Sequence, residues 1–235
     1  MVFSSAMAAQ LRKKDTLFLQ GGDADSDTFM FLGLQDTIEN NDGGDQDYLY
    51  QVSISWPYKE NALDQNEPME VPEEQKERHA LIRKFANSWA APFRDAVYNM
   101  PTSLPLQDIR IEYWMPGKNP WDNMNGRATL LGDAAHTMPM FRGEACNHAI
   151  VDVEQYVECH LNVLLSTSEG FEKACSQYES EMIGRTENAI LASVQACLDA
   201  HNQRDLNEDS PLVATRAIAP KAANMHSILQ QLLVK

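Results

Sequence analysis

The 235-residue sequence is long enough to form one large domain or two small ones, each with a substantial hydrophobic core. Its 43% hydrophobic and 23% charged residues are typical of a globular, water-soluble protein. The formal net charge of −15 argues against nucleic acid or an anionic membrane surface as a partner.

The four cysteines lie far apart and include no C-x-x-C pair, so neither a zinc site nor a disulfide framework is predicted. They are Cys146, Cys159, Cys175 and Cys197. We expect reduced, mostly buried thiols and therefore a cytoplasmic protein. Residues 1–9 are apolar but lack the basic start of a signal peptide. No apolar run approaches the ~20 residues that span a bilayer, so no membrane span is predicted.

The first part of the chain predicts an antiparallel sheet. Residues 1–15 carry little pattern and are expected to be irregular. Residues 16–20 and 28–34 are apolar runs typical of strands, separated by the turn-like segment GGDADSD. The Asn-Asp-Gly-Gly sequence at 41–44 is typical of a hairpin loop, and residues 48–56 alternate as a strand does. We interpret this sheet as one layer of a substrate pocket.

Aromatic side chains follow one face of the last predicted strand, namely Tyr48, Tyr50 and Trp56. Tyr113 belongs to a later segment. Such aromatic faces line an apolar substrate pocket or pack in the core, and the core is the more frequent arrangement.

The middle of the chain predicts a loop, then helices, then a further strand. Residues 57–72 are polar and rich in acids and proline, as loops are. Residues 73–91 carry an apolar stripe at helical spacing, and residues 93–100 add another turn or two of helix. Residues 108–115 (DIRIEYWM) alternate and predict a strand.

Residues 126–150, GRATLLGDAAHTMPMFRGEACNHAI, contain the densest pattern of the chain. The apolar run 129–131 predicts a short buried strand that ends at Gly132 and Asp133. From about Cys146 the apolar residues return at helical spacing. A carboxylate at such a turn can accept a hydrogen bond from a sugar-like hydroxyl group.

The start of the predicted helix adds a second binding feature. The N–H groups of Ala145, Cys146 and Asn147 have no partner within the helix and can face an anion. The arrangement therefore suits a ligand that carries both hydroxyl groups and negative charge.

These residues closely resemble the second flavin-binding motif of FAD-dependent aromatic-hydroxylase-type (p-hydroxybenzoate hydroxylase-like) monooxygenases. The resemblance rests on Gly-Asp-Ala-Ala-His at 132–136, Met-Pro at 138–139, Arg-Gly-Glu at 142–144 and Asn-His-Ala-Ile at 147–150. More loosely, it extends over residues 28–218.

The resemblance implies an oxidoreductase that uses FAD, NAD(P)H and O2 to hydroxylate or epoxidise an aromatic or olefinic small molecule of secondary-metabolite type. In that family the aspartate binds the ribityl chain of FAD, and the helix N-terminus lies against the pyrimidine edge of the flavin. Helix N–H groups stabilise the negative charge that reduced flavin carries there. The implied FAD-binding residues are Gly132, Asp133, Pro139, Gly143, Ala145, Cys146 and Asn147. No catalytic acid or base is identified.

The sequence departs from the family pattern in three respects. It contains no strand–G-x-G-x-x-G–helix segment for the FAD pyrophosphate and no mid-chain Asp-Gly motif for FAD and NAD(P)H. It therefore resembles the C-terminal portion of such an enzyme, and we expect it to be truncated. Ala145 stands where the family most often has glycine, a mild replacement that adds one methyl group.

Other polar residues near the motif have simpler interpretations. His136 and His148 flank a loop without a third ligand at suitable spacing, so packing or hydrogen bonding to loop backbone is favoured over a metal site. Arg142 contacts a flavin or substrate acid, or forms a salt bridge; the sequence leaves both open. Cys159 and His160 point apart on a predicted helix, which argues against nucleophilic catalysis there.

The predicted fold class is α+β, with an antiparallel substrate sheet, one strand–Gly-Asp–helix flavin segment and long C-terminal helices. Helices are expected at 146–165, 168–200 and 222–234. The predicted domains are a substrate sheet and helix (16–115), the second flavin-binding motif (116–165) and the C-terminal helices (166–235). A second function class stays open, a non-redox small-molecule-binding remnant or a half-enzyme that works beside another chain, and the sequence predicts no oligomeric state.

Overall fold

The computed structural model describes residues 1–39, 46–57, 70–161, 163 and 168–214. Three predictions lie outside these residues: the hairpin loop at 41–44, most of the loop at 57–72 and the helix at 222–234. The chain divides into two compact units. The sheet unit comprises Met1–Ile109 and Ala200–Asp205, and the helical unit comprises Arg110–Asp199 and Leu206–Lys235.

The sheet unit contains a four-stranded antiparallel sheet among its described residues, with strand order β1-β4-β3-β2. The strands are β1 (Val2–Phe3), β2 (Phe18–Asp23), β3 (Thr28–Ile38) and β4 (Asp47–Ser55). Alternation of apolar side chains fixes the register, since Leu32 of β3 lies opposite Val52 of β4. The predicted antiparallel sheet is confirmed.

Three helices of the sheet unit share one core with the sheet: α1 (Ser5–Arg12), α2 (Gln75–Ala86) and α3 (Phe93–Tyr98). Tyr50 of β4 is buried in this core, and Tyr48 and Trp56 pack against it. The aromatic face of β4 is therefore core, which was the favoured interpretation. The helices predicted at 73–91 and 93–100 are confirmed with shorter bounds.

The prediction of an irregular segment at 1–15 is wrong. Val2–Phe3 pairs with β4, and α1 buries Ala8 and Leu11 completely. Burial of these two apolar side chains against the sheet stabilises a helix whose own sequence pattern is weak.

The predicted turn GGDADSD also begins too early. Gly21 and Gly22 belong to β2, and the turn is confined to residues 24–27. A Cβ atom at Gly22 would lie 2.3 Å from the Gln203 side chain, so glycine allows close approach within the strand here.

The helical unit is built from α4 (Asp133–His136), a 3-10 turn (Met140–Arg142), α5 (Ala145–Leu161) and α6 (Ser168–Ala200), whose last residue belongs to the sheet unit. The two long helices confirm the predicted ones, with α5 ending earlier than 165. Tyr178 and Met182 of α6 are buried together with Ala135 of α4. With the sheet unit, this confirms the α+β fold class.

Two predicted strands are wrong, at 108–115 and 129–131, because neither segment forms a ladder. A strand requires a neighbouring strand, and the helical unit offers none among its described residues. Within residues 108–115, the Trp114 N–H donates a backbone hydrogen bond to the Thr137 carbonyl at 2.9 Å.

Within the described ranges, no helix combines the length and the hydropathy that a transmembrane segment requires.

Candidate functional site

The Gly132–Asp133 turn has a backbone conformation that requires glycine. Gly132 is buried with φ 58° and ψ −141°, a region that residues with a Cβ atom rarely adopt. A Cβ atom at Gly132 would lie 3.3 Å from the Ala149 Cβ, so the turn packs closely on α5. Asp133 follows as the first residue of α4 and is exposed.

The Asp152 carboxylate of α5 holds this turn in place. Asp152 is fully buried and accepts hydrogen bonds from the Gly132 N–H (2.8 Å), from Nε2 of His136 (2.7 Å) and from Nη2 of Arg185 (2.6 Å). Burial alone would raise the pKa of the Asp152 carboxyl, but these hydrogen bonds outweigh burial and lower it. Asp152 is therefore an ionised anchor between the turn, α4 and α6.

Arg185 supplies the counter-charge from α6. Its guanidinium also bonds Glu181 at 2.9 Å and approaches Nδ1 of His148 at 3.0 Å. Burial disfavours the charge of Arg185, but the hydrogen bonds to Glu181 and Asp152 outweigh it and raise the pKa. Burial and the Arg185 charge both lower the pKa of His148, so this imidazole is neutral and Nδ1 accepts.

The two histidines therefore form hydrogen bonds, as was favoured over a metal site. Each ring has a side-chain partner rather than the expected loop backbone, namely Asp152 for His136 and Arg185 for His148. The rings of His136 and His148 lie 6.1 Å apart, and each contacts one end of the Asp152–Arg185 pair.

The segment that leads into the turn is held by α6 rather than by a sheet. The carboxylate of Glu179 accepts hydrogen bonds from Trp121 (3.0 Å), Asn123 (2.9 Å) and Thr129 (2.8 Å). The Tyr178 hydroxyl donates to the Leu130 carbonyl at 2.9 Å. Side chains of one helix thus determine the course of a segment that local pattern assigns to a strand.

The N-terminus of α5 is open. Ala145 is half-buried, while Cys146 and Asn147 are exposed, and the first turn of the helix contains no acidic residue. The first backbone N–H groups of a helix have no partner within it, so they can bind an anion here.

Residues 139–144 shape the approach to this helix end. Pro139 is buried, and Gly143 is exposed with φ 65° and no atom within 4 Å of a Cβ position. Arg142 bonds the Glu144 carboxylate at 2.9 Å and the Pro211 carbonyl at 2.7 Å. The salt-bridge interpretation of Arg142 thus holds, and the salt bridge neutralises the acidic residue next to the helix end.

The cysteines only partly follow expectation. All four are free thiols, but only Cys175 is buried and Cys146 is exposed, because α5 presents its first turn to solvent. Burial and the Glu179 charge raise the pKa of Cys175 to about 11, and burial raises the pKa of Cys197 to about 11.

A cavity of about 480 Å³ lies between the last turns of α5 and the first turns of α6. Gln155, Glu158, Lys173 and Gln177 give it a polar lining, and none of the residues implied in FAD binding lines it.

Known proteins similar to this chain are named as flavin enzymes. A "Probable FAD-dependent monooxygenase" of Arthroderma benhamiae is 40% identical over 218 residues, which are 90% of this chain and 50% of the relative. The FAD-dependent monooxygenases tazP of Aspergillus terreus and phnB of Penicillium herquei are 37% and 36% identical over 147 and 132 residues. These matches cover 63% and 56% of this chain and 36% and 32% of the relatives.

The chain therefore spans about half the length of the first relative and about a third of the other two. No protein-family model matches the chain, and no solved structure matches it significantly. The similarities confirm the resemblance to FAD-dependent monooxygenases. Each of these similarities covers only part of the FAD-dependent monooxygenase that carries the name.

Proposed function

We propose that this chain supplies the substrate sheet and the second flavin-binding segment of a p-hydroxybenzoate hydroxylase-like FAD-dependent monooxygenase. The observation that carries the proposal is the exposed Asp133 carboxylate, which follows a turn packed on α5, together with the open N-terminus of that helix. The chain is also 40% identical to a protein named "Probable FAD-dependent monooxygenase". When bound, FAD supplies the redox and oxygen chemistry, with NAD(P)H and O2 as co-substrates.

The chemistry of the available groups fits a flavin. The Asp133 carboxylate makes no hydrogen bond to a described residue, so both of its oxygen atoms can accept from ribityl hydroxyl groups. The free N–H groups of Ala145, Cys146 and Asn147 suit the electron-rich edge of a reduced flavin ring. Asp133 and the helix end thus meet two different parts of one ligand.

The other residues assigned to flavin binding contribute through the conformation of their backbone. Gly132 provides the positive φ of the turn, and buried Pro139 fixes the start of the following 3-10 turn. At Gly143 the surroundings leave room for a ligand to approach the backbone. The Arg142–Glu144 salt bridge removes a negative charge that would repel a reduced flavin.

The functional division and the substrate class follow the resemblance. Residues 16–115 form the part that contacts substrate, residues 116–165 contact the flavin, and residues 166–235 form the C-terminal helices. The substrate is an aromatic or olefinic small molecule of secondary-metabolite type, and NAD(P)H is the reductant.

Flavin titration of the purified chain tests this proposal. We expect FAD, FMN and riboflavin all to bind, detected by quenching of flavin fluorescence, because Asp133 and the α5 N-terminus meet parts common to all three. Asp133→Ala should weaken binding about tenfold, the loss of a charged hydrogen bond. Asp209→Asn, which changes another exposed aspartate of the same unit, serves as the matched control. Absence of binding, or equal affinity of Asp133→Ala, contradicts the proposal.

A further inference from the structure

Glu144 lies directly before α5, in the position of a helix cap. Its carbonyl accepts a hydrogen bond from the His148 N–H at 3.1 Å, as the carbonyl of an N-cap residue does. A carboxylate beside a helix N-terminus is stabilised by the first free N–H groups, because it can accept hydrogen bonds from them and is attracted by the helix dipole. Among the described residues, however, the Glu144 carboxylate accepts no hydrogen bond from α5 and is bound by Arg142 instead.

The guanidinium of Arg142 engages both oxygen atoms of this carboxylate. Nε donates to Oε2 at 3.0 Å and Nη2 donates to Oε1 at 2.9 Å, the two-pronged geometry of a strong arginine–carboxylate pair. The side chains of Arg142 and Glu144 are only 7% and 14% exposed, so solvent and salt screen the pair weakly. The carboxylate is therefore committed to Arg142, and the first N–H groups of α5 stay free.

A turn after α6 fixes the orientation of Arg142. The third guanidinium donor, Nη1, bonds the Pro211 carbonyl at 2.7 Å. The preceding Ser210 is buried, and its hydroxyl bonds the Asp199 carboxylate of α6. Arg142 is thus held by a structured part of the helical unit while it binds Glu144.

Resting on the proposed function, we propose that Arg142 is a positioning residue that keeps Glu144 from capping α5 and thereby favours the reduced, anionic flavin over the oxidised one. Without the guanidinium, the freed carboxylate would accept hydrogen bonds from the first N–H groups of α5 and place a negative charge beside them. An anionic flavin ring would be repelled by that charge, whereas an uncharged oxidised ring would be affected less. Arg142 can tune flavin reduction in this way without touching the flavin.

Amide hydrogen exchange, followed by NMR, tests the step that requires no flavin. In Arg142→Gln, we expect exchange of the Cys146 and Asn147 N–H groups to slow about threefold to tenfold, because hydrogen bonds to Glu144 now protect them. Adding Glu144→Ala should restore the wild-type rate, and Arg127→Gln, at an exposed arginine of the same unit, should not change it. Unchanged or faster exchange in Arg142→Gln overturns the proposal, since general loosening of the loop accelerates exchange.

Anaerobic titration with oxidised and dithionite-reduced FAD tests the effect on the ligand. In Arg142→Gln, we expect the ratio of the reduced to the oxidised dissociation constant to rise about tenfold, which lowers the two-electron midpoint potential of the bound flavin by about 30 mV. The double variant with Glu144→Ala and the control Arg127→Gln should keep the wild-type ratio. An unchanged ratio in Arg142→Gln overturns the proposal.

Glu144→Ala alone covers the case in which Arg142→Gln does not fold. It leaves the charge of Arg142 uncompensated, so the ratio of dissociation constants should change in the opposite direction, by about threefold or more in favour of reduced FAD. No change in this variant overturns the proposal. If amide exchange slows as expected but the wild-type chain binds neither form of FAD, the hold of Arg142 on Glu144 stands and the proposed function is contradicted instead.

Discussion

The backbone N–H of Gly132 donates a hydrogen bond of 2.8 Å to the carboxylate of Asp152, twenty residues later in the chain. Asp152 lies on α5, the helix whose N-terminus follows the same motif. The turn that presents Asp133 and the helix end that presents free N–H groups are therefore anchored to one helix, which fixes the turn on that helix.

Removing the Asp152 charge should destabilise the chain. In Asp152→Asn, the amide oxygen can still accept from Gly132, but among the described residues Arg185 keeps only Glu181 as a paired counter-charge. We expect the free energy of unfolding to fall by about 2–3 kcal/mol, measured by urea denaturation. Asp209→Asn, at an exposed position, should change it by less than about 0.5 kcal/mol. Equal effects of the two substitutions would show that the buried contacts of Asp152 are not important for stability.

Two glycine substitutions should have opposite effects. Gly132→Ala forces a Cβ atom into a positive-φ turn and toward Ala149, so we expect a loss of about 2 kcal/mol in unfolding free energy. Gly184→Ala places a methyl group in open space within α6 and should stabilise by about 0.5–1 kcal/mol. Thermal and urea unfolding measure both changes. A neutral Gly132→Ala would refute the conformation of the turn.

The lowered pKa of His148 predicts a pH dependence of stability. Burial and the charge of Arg185 keep folded His148 neutral, while in the unfolded chain it titrates near pH 6.5. As pH falls below about 6.5 the unfolded state takes up the proton first, so this contribution to stability is lost toward lower pH.

His148→Gln isolates that contribution. The wild-type unfolding free energy should fall more steeply than that of the variant between pH 7.5 and 5.5, measured by urea denaturation. Parallel pH profiles would mean that His148 has the same pKa in both states.

Because Cys146 is exposed, we predict that a thiol reagent labels it selectively. At pH 7.5 we expect a maleimide to react first at Cys146, since Cys175 and Cys197 have pKa values raised to about 11 and Cys175 is buried. Peptide mass spectrometry identifies the modified residue. Faster modification of Cys175 would contradict the packing of α6 against residues 121–130.

The spacing of apolar residues was sufficient to predict strand β4 and the long helices α5 and α6. The strand β4 alternates regularly, and α5 and α6 are long and periodic. The strands expected at 108–115 and 129–131 are absent because a ladder depends on a neighbour that local pattern does not specify. For 129–131, the bonds come instead from Tyr178 and Glu179 of α6.

The anchoring role of Asp152 was also not predicted from the sequence. Its position four residues after His148 and four before Tyr156 places it on the inward face of α5, which is an unusual position for an acid. That spacing could have indicated a buried, paired carboxylate at position 152. The partner, Arg185, lies 33 residues further on in α6, and only the packing of the two helices brings them together.

Protection of Cys146 by a flavin tests the central claim most directly. If Asp133 and the α5 N-terminus bind one flavin, saturating FAD should slow maleimide labelling of Cys146 at least tenfold in the wild-type chain. In Asp133→Ala, the same FAD concentration should give much weaker protection, while Asp209→Asn should behave as the wild type. Unchanged labelling of wild-type Cys146 at saturating FAD would contradict the account.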